Sequence, residues 1–281
     1  MRITITGGTG KLGRHLHDIL SAHHTVTALG RETDITDFRT LRDTVQASQP
    51  DLVINAAAWT DVDGCAREPH KALHINGLGA QNVALAAAAA HAAVLHVSTG
   101  EVFGGHAQQP YDEFSPCDPI NPYGRSKWAG EQGVQQVNPR HYIVRTAWLF
   151  AHGGKNFIHA ILNAARANKP LRVVIDEVAN PTYNNDLADA IDALIETERY
   201  GTYHLVNSGA VSRYQFARTI LDLSGLADYP IERITRAEWP RPSTPPAYAP
   251  LQNNAAASVG ITLRPWQEAV EAFLEAEKKN S

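Results

Sequence analysis

A tyrosine and a lysine stand four residues apart in the stretch NPYGRSKWAGE, residues 121–131. On a helix this spacing puts Tyr123 and Lys127 on one face. An ammonium group lowers the pKa of a neighbouring phenol, so we expect Tyr123 to protonate a developing alkoxide near neutral pH. The alternative is an exposed helix face, because a YxxxK spacing often arises by chance.

A second group of reactive side chains lies in the stretch VSTGEVFGG, residues 97–105. The stretch follows an apolar run and is typical of a strand that opens into a loop. If residues 97–101 stay extended, Thr99 and Glu101 point to the same side, which places Glu101 in a cleft beside Thr99. Glu101 then has three candidate roles: a ligand for a substrate hydroxyl or amine, a proton-abstracting base, or a solvated loop carboxylate.

A glycine-rich stretch, TGGTGKLG at residues 6–13, fits T-G-x-x-G-x-x-G between a strand and a helix. Gly7 permits the tight turn, Gly10 lets the backbone reach a pyrophosphate, and Gly13 lets helix and strand pack closely. The pyrophosphate would rest at the helix N-terminus. The pattern predicts a dinucleotide site, with an ordinary glycine turn as the alternative. Further contacts are expected from the remaining loop residues Thr9, Lys11 and Leu12.

The end of the second predicted strand bears on the choice of cofactor. It reads Leu29-Gly30-Arg31, without an acidic residue at the strand tip to accept two ribose hydroxyls. An arginine suits a 2′-phosphate, so we expect NADPH, with NADH as the alternative, unless Arg31 is a solvated turn residue. Asp34 and Ile35 lie where an adenine edge could be contacted. Lys127 would then also hold the ribose hydroxyls of the nicotinamide nucleotide.

These residues need a scaffold, and the chain alternates strand and helix patterns over its first half. Such alternation predicts an α/β fold with a Rossmann-type, doubly wound parallel sheet. We assign residues 1–148 and 171–200 to the NAD(P)-binding domain. Residues 149–170 and 201–281 are assigned to a smaller, discontinuous substrate-binding lobe. The proline-rich stretch 240–250 is predicted to be a loop over a cleft.

Composition narrows the class of protein. The 281 residues are 43% hydrophobic with a formal net charge of −4, which gives no argument for nucleic acid or membrane partners. Cys65 and Cys117 form no CxxC pair, and the 13 histidines show no metal-ligand spacing. No apolar run is long enough for a membrane span, and the start leaves no room for a signal peptide. We therefore expect a cytoplasmic protein with a small-molecule substrate and no metal, and a homodimer remains open.

The motifs together resemble one family. The chain resembles the extended short-chain dehydrogenases/reductases, and within them the dTDP-4-dehydrorhamnose reductase group. The resemblance rests on stretches that span nearly the whole chain: TGGTGKLG, NAAAWTDVDGCAREP, HINGLGAQNVA, VSTGEVF, NPYGRSKWAGE, RTAWLF, NPTYNNDLAD and LRPWQEAV.

The resemblance implies roles for individual residues. Thr99, Tyr123 and Lys127 would form the catalytic triad, and Asn76 would hold a water or backbone near the lysine. Trp148 matches an aromatic residue of the substrate pocket, with core packing as the alternative. The nicotinamide side of the cofactor would be lined by Ala56, Ala57 and Ala58.

The chain departs from the family pattern at two places. Where the reductases usually read S-T-D-Y-V-F, it has Gly100 and Glu101, so the aromatic residue facing the sugar is missing. Near residues 243–253 it lacks the family's basic R-R-P, which removes an expected diphosphate contact.

The resemblance implies reduction of a keto group on a sugar or sugar nucleotide by NADPH. Tyr123 would donate the proton and Thr99 would bind the carbonyl oxygen. One alternative is a dehydratase or epimerase that recycles its own cofactor, with Glu101 as base. The other is a non-catalytic, NADP-binding regulatory subunit, against which the intact Thr99, Tyr123 and Lys127 argue.

Overall fold

A six-stranded parallel sheet forms the centre of the computed structural model, which describes residues 1–154 and 156–279. The sheet has the order β10-β5-β4-β3-β1-β2. Its strands and the helices between them are β1 Arg2–Thr6, α1 Lys11–Leu20, β2 Thr25–Leu29, α2 Phe38–Ser48, β3 Leu52–Asn55, α3 Val62–Arg67, α4 Pro69–Ala72, α5 Gly79–Ala89, β4 Ala93–Thr99, α6 Pro122–Val137, β5 His141–Thr146 and, later in the chain, β10 Gly201–His204.

Helices cover both faces of this sheet. Leu16 and Leu20 of α1 pack on one face, while Leu41 of α2 and Val83 of α5 pack on the other. The strands are buried on both sides, which explains why β3 reads as a continuous apolar run. The predicted Rossmann-type, doubly wound fold is confirmed. The carboxyl ends of the parallel strands all lie at the same end of the sheet. There β1 leads into the glycine loop, β3 leads to Ala56, and β4 ends at Thr99.

Shorter elements form a second packed region. They are β6 Leu149–Phe150, α7 Phe157–Arg166, β7 Leu171–Val174, β8 Val178–Ala179, β9 Thr182–Tyr183, α8 Asn184–Ile195, β11 Val211–Ser212, α9 Arg213–Leu223, β12 Ile231–Ile234, α10 Asn254–Ser258 and α11 Trp266–Lys279. Three two-stranded pairs, β11-β8, β12-β7 and β6-β9, brace this region. Its core is aromatic: Phe150 stacks on Tyr183 and meets Phe273 edge to face. Helices α8 and α10 pack instead on the central sheet.

The strand pairing differs from the predicted division of the chain at two segments. Strand β7 pairs with β12, outside the six-stranded sheet, although residues 171–174 were assigned to the cofactor domain. Strand β10 pairs in parallel with β5 and forms an edge of the central sheet, although residues 201–204 were assigned to the substrate lobe. Short strands carry no local signal for the sheet they join, because pairing partners lie far away in sequence.

Two local structures also differ from the sequence pattern. The helical pattern over residues 70–91 contains a π-helical segment, Leu73–Leu78, between α4 and α5. The strand at residue 97 ends at Thr99, and Gly100–Val102 form a 3₁₀ turn. The assumption that residues 97–101 stay extended is therefore wrong. The side chain of Thr99 accepts the Glu101 N–H at 3.2 Å, a local bond that competes with continued strand.

Among the described helices, none is both long and apolar enough to cross a bilayer.

Candidate active site

The glycine loop has the shape that its sequence predicts. Gly7 has a φ of +72°, and a Cβ added there would lie 2.6 Å from the Ala57 nitrogen. A Cβ on Gly13 would collide with the Gly7 carbonyl oxygen. Within the described chain no side chain caps the N-terminus of α1. The loop fits a cofactor pyrophosphate, held by the backbone around Thr9, Gly10, Lys11 and Leu12.

The tip of β2 carries both a cation and an anion. Arg31 is exposed, as a 2′-phosphate ligand should be. Glu32, which the sequence analysis did not single out, folds back so that its carboxylate accepts the Gly30 N–H at 2.7 Å. Hydrogen bonds from its own backbone and from Gly30 lower the pKa of Glu32. The tip of β2 therefore combines the exposed guanidinium of Arg31 with the Glu32 carboxylate, which is fixed against the backbone of Gly30.

Asp34 and Ile35 have structural partners at the predicted adenine edge. The Asp34 carboxylate accepts the Thr36 N–H at 2.8 Å and shapes the turn. Ile35 is buried against α5, where Gly79 leaves room for its side chain. Asn82 donates to the Ile35 carbonyl at 3.0 Å. Asp34 is exposed, so of the two side chains it is the one that can reach an adenine.

The loop after β3 lies directly against the glycine loop. Ala56 donates its N–H to the Thr6 carbonyl at 3.0 Å, and Ala57 approaches Gly7. Ala58 follows in the same loop, and the predicted contact of these three alanines with the nicotinamide side of the cofactor stays a prediction. Asn76 fixes this loop from the π-helical segment: its amide bonds both the N–H and the carbonyl of Trp59 and also the Ser126 hydroxyl. Asn76 therefore holds the backbone at Trp59, and its predicted role near Lys127 stays a prediction.

Helix α6 presents Tyr123 at its open end. Asn121 caps the helix by accepting the Gly124 N–H at 2.7 Å, and Pro122 occupies the first position. Tyr123 is buried, and its phenol interacts with the Thr99 hydroxyl. The structure thus brings Thr99 and Tyr123 together from two elements that are far apart in sequence.

The protonation of Tyr123 differs from the expectation. Burial raises the pKa of the Tyr123 phenol, the Glu101 charge raises it further, and the Thr99 hydrogen bond lowers it only in part. Lys127 does not lower the pKa of the Tyr123 phenol as expected, because its ammonium group faces the sheet. Lys127 Nζ donates to the Val97 carbonyl at 2.6 Å. A raised pKa keeps the proton on the phenol at neutral pH, but it also makes the phenol a weaker acid than a donor whose pKa lies near the operating pH.

Glu101 reaches the cleft by the 3₁₀ turn and not by an extended strand. Its Oε2 accepts the Asn121 side-chain N–H at 2.7 Å. Burial raises the pKa of the Glu101 carboxyl, while Asn121, Arg241 and Arg213 oppose this shift. Glu101 lines the same cavity as Thr99, although the backbone between them is a 3₁₀ turn and not an extended strand.

Trp148 forms the opposite wall of this cavity. It has a positive φ of +40°, a strained conformation for a bulky residue that often marks a functional position. Arg213 stacks on the indole with its guanidinium carbon 3.5 Å from the ring centroid. Burial lowers the pKa of Arg213 to about 10, against the opposing charges of Glu177 and Glu101. Trp148 therefore packs on its neighbours and lines the cleft at the same time.

The proline-rich loop closes one side of the cleft, as predicted, and supplies Arg241. Arg241 Nε bonds Asp63 of α3 at 2.9 Å, and the same Asp63 oxygen accepts the Ser243 N–H. Arg241 and Arg213 both line the cavity beside Thr99 and Glu101. They also line a second cavity of about 520 Å³, whose walls include Phe157. The two cavities thus share Arg213, Arg241 and Glu177, and because two arginines face one carboxylate we call this shared wall the cationic junction.

Sequence reasoning missed Arg213, Arg241 and Glu177 as cleft residues. Each lies in the second half of the chain, where strand and helix signals are weak, and each enters the cleft only through long-range packing. The arginine in the proline-rich loop was the one signal that could have pointed to the site. Among the described residues, no three histidine, cysteine, aspartate or glutamate side chains are grouped so that they could hold a metal ion.

The site combines a dinucleotide loop, a buried tyrosine beside a threonine, and a lysine one helical turn away. This combination defines an NAD(P)-dependent oxidoreductase of the short-chain dehydrogenase/reductase type. The family profile described as "RmlD substrate binding domain" matches residues 1–279, and the chain belongs to that family.

Individual relatives agree with this assignment. The chain is 39% identical over 276 residues to the spore coat polysaccharide biosynthesis protein SpsK of Bacillus subtilis, covering 98% of this chain and 97% of SpsK. It is 38% identical to the dTDP-4-dehydrorhamnose reductase of Mycolicibacterium smegmatis, covering 98% of this chain and 85% of that enzyme. The dTDP-4-dehydrorhamnose reductase of Bacillus anthracis, solved in complex with NADP, superposes with a TM-score of 0.94 at 34% identity, covering 98% and 99%.

The predicted extended short-chain reductase with NADPH as cofactor is confirmed. The chain is an enzyme of this class, which removes the alternative of a non-catalytic subunit.

Proposed function

We propose that this enzyme reduces the keto group of a dTDP-4-keto-6-deoxy sugar, with dTDP-4-dehydrorhamnose as the substrate to test first. The observation that carries the proposal is the cationic junction between the two cavities. Arg213 and Arg241 line both the small cavity at Thr99 and the larger one at Phe157. A sugar nucleotide has the matching order: a neutral sugar, a doubly charged diphosphate and a planar base.

The residues of the chain divide the chemistry between them. Bound NADPH supplies the hydride. The Thr99 hydroxyl binds the keto oxygen, and Tyr123, held protonated by burial, gives its proton to that oxygen. Lys127 Nζ donates one N–H to the Val97 carbonyl, and another of its N–H groups holds the nicotinamide ribose. Trp148 and the loop at Pro245 and Pro246 exclude water from the reacting carbon.

Glu101 selects the substrate in this proposal. With Oε2 engaged by Asn121, its other oxygen is available to accept a sugar hydroxyl next to the ketone. Because burial raises the pKa of Glu101, the KM of the sugar nucleotide should rise as the pH falls through that raised pKa. A Glu101→Gln enzyme should show a higher KM that no longer depends on pH in this range. Solvent deuterium entering the sugar carbon next to the ketone, and lost in Glu101→Gln, would instead show a base.

The whole proposal is tested by steady-state turnover. NADPH oxidation should depend on dTDP-4-dehydrorhamnose and yield one reduced sugar nucleotide per NADPH. The same sugar without its nucleotide should be a poor substrate, because it cannot reach the arginines. Equal efficiency for both compounds would contradict the role of the junction.

We further propose that the protein works in the cytoplasm as a homodimer. Its two cysteines are free thiols, as in a reducing compartment. Exposed apolar side chains lie on three elements that pack against one another, the π-helical segment, α5 and α6, namely Leu73, Leu78, Leu85 and Trp128. Pairing of this patch with its copy would bury it. Sedimentation should show a dimer that Leu78→Glu converts to a monomer, whereas Phe114→Glu, on the exposed loop, should leave it intact.

A further inference from the structure

Lys127 shares its buried position with a histidine that the proposed reaction does not use. His96, on β4, is fully buried, and its Nε2 lies 3.3 Å from Lys127 Nζ. Its Nδ1 lies 3.0 Å from the side-chain nitrogen of Asn55, on β3. Asn55, His96 and Lys127 thus form a row that runs from β3, through β4, to helix α6.

The backbone fixes the direction of the hydrogen bonds in this row. Asn55 Oδ1 accepts the Ala57 N–H at 3.2 Å and the Thr6 hydroxyl at 2.8 Å, so the other end of the amide is its NH₂ group. That NH₂ donates to His96 Nδ1, which must be unprotonated. A neutral imidazole with an accepting Nδ1 carries its proton on Nε2. The His96 Nε2–H therefore faces Lys127 Nζ.

A donor that faces an ammonium group cannot hydrogen-bond to it, whereas it can bond the lone pair of a neutral amine. We propose that His96 is a positioning residue for Lys127: its Nε2–H disfavours the ammonium form, and it leaves the Val97 carbonyl as the β4 group to which Lys127 donates an N–H. The inference deepens the proposed function, because it rests on Lys127 acting in the site.

The charges around Lys127 agree with this role. Burial lowers the pKa of Lys127 to about 8, and Glu131 on the same helix acts in the opposite direction. Glu131 is itself engaged by Arg145 of β5, at 2.7 Å, and by Ser98. Burial and the Lys127 charge lower the pKa of His96, which keeps the imidazole neutral. Further titratable groups near the start of α6 are Tyr123, Glu101 of the 3₁₀ turn and Cys65, which packs against Tyr123.

The tautomer can be read in the unaltered protein. Nitrogen-15 NMR of the imidazoles should show His96 neutral with its proton on Nε2 across the neutral range. A proton on Nδ1, or a charged ring, would overturn the proposal without any mutation. This measurement needs neither cofactor nor turnover, so its result does not depend on whether the proposed function is correct.

Two substitutions and a control test the effect on Lys127. His96→Asn keeps an acceptor for Asn55 but removes the group that faces Nζ, whereas His96→Gln restores a donor near that point. His204→Asn is the matched control, because His204 is also fully buried and neutral, with its pKa lowered to about 3 by burial, and is bonded to Gln252. Nitrogen-15 NMR of Lys127 Nζ follows its titration in each protein.

The Lys127 midpoint should rise by about one pH unit or more in His96→Asn, because an unfavourable donor contact is removed. His96→Gln and His204→Asn should titrate like the unaltered protein, and the alkaline limb of kcat should move with the Lys127 midpoint. An unchanged midpoint in His96→Asn, or an equal rise in His204→Asn, would overturn the proposal. If His96→Asn does not fold, the tautomer measurement and His96→Gln decide.

Discussion

Arg241→Gln tests whether the proline-rich loop supplies the diphosphate ligand that the family pattern lacks. Arg241 is about a third exposed and bonds Asp63, itself about a third exposed, so this ion pair adds at most about 1 kcal/mol of stability. A charge-assisted contact with a diphosphate is worth about 1.5–3 kcal/mol. The KM for dTDP-4-dehydrorhamnose should therefore rise roughly ten- to a hundredfold, with little change in kcat or in unfolding temperature.

Asp63→Asn is the matched control for this experiment. It breaks the same ion pair but leaves the guanidinium in the cleft. Although burial opposes it, bonds from Arg241 and Ser243 lower the pKa of Asp63, so the pair is charged at neutral pH. The KM should change by no more than a few-fold in Asp63→Asn, as measured by NADPH oxidation. An equal rise in KM for both variants would mean that Arg241 only anchors the loop, and the assignment of the junction would be refuted.

Two further substitutions test the cofactor end and the support of the site. Arg31→Ala should remove a preference for NADPH over NADH of roughly ten- to a hundredfold, seen in fluorescence titrations of the two cofactors, and equal affinities in the unaltered enzyme would defeat the assignment. Glu131→Gln should destabilise the fold by about 3–5 kcal/mol in urea unfolding, because it leaves the buried Arg145 without its counter-ion. Asp43→Asn, which breaks the exposed Arg42–Asp43 pair, should cost less than about 1 kcal/mol, and a similar loss in both proteins would show that burial is not the cause.

The parts of the site that the sequence predicted are those with a local physical signature. The glycine loop needs Gly7 at positive φ and no Cβ at Gly13, and both requirements are visible as residue types at fixed spacing. Tyr123 and Lys127 share a helix, so their relation follows from helical geometry alone. The alternation of strand and helix patterns is also a local signal, and it predicted the central sheet.

The parts that the sequence could not predict depend on distant contacts. The turn at Gly100 forms because Thr99 bonds the Glu101 backbone, which competes with the strand signal of the same residues. The cleft position of Arg213 depends on its stacking against Trp148, 65 positions earlier in the numbering. The protonation of Tyr123 depends on burial and on Glu101, which no spacing rule reports.

The central claim is that Tyr123 gives the proton to the reduced keto oxygen. A single-turnover measurement of NADPH oxidation by Tyr123→Phe, with dTDP-4-dehydrorhamnose at saturation, tests it most directly. We predict a rate lower by roughly 10²–10⁴-fold, the usual share of a positioned general acid, with an unchanged Kd for NADPH. A near-normal rate in Tyr123→Phe would contradict the account, because the substitution removes the phenol proton that the account transfers to the keto oxygen.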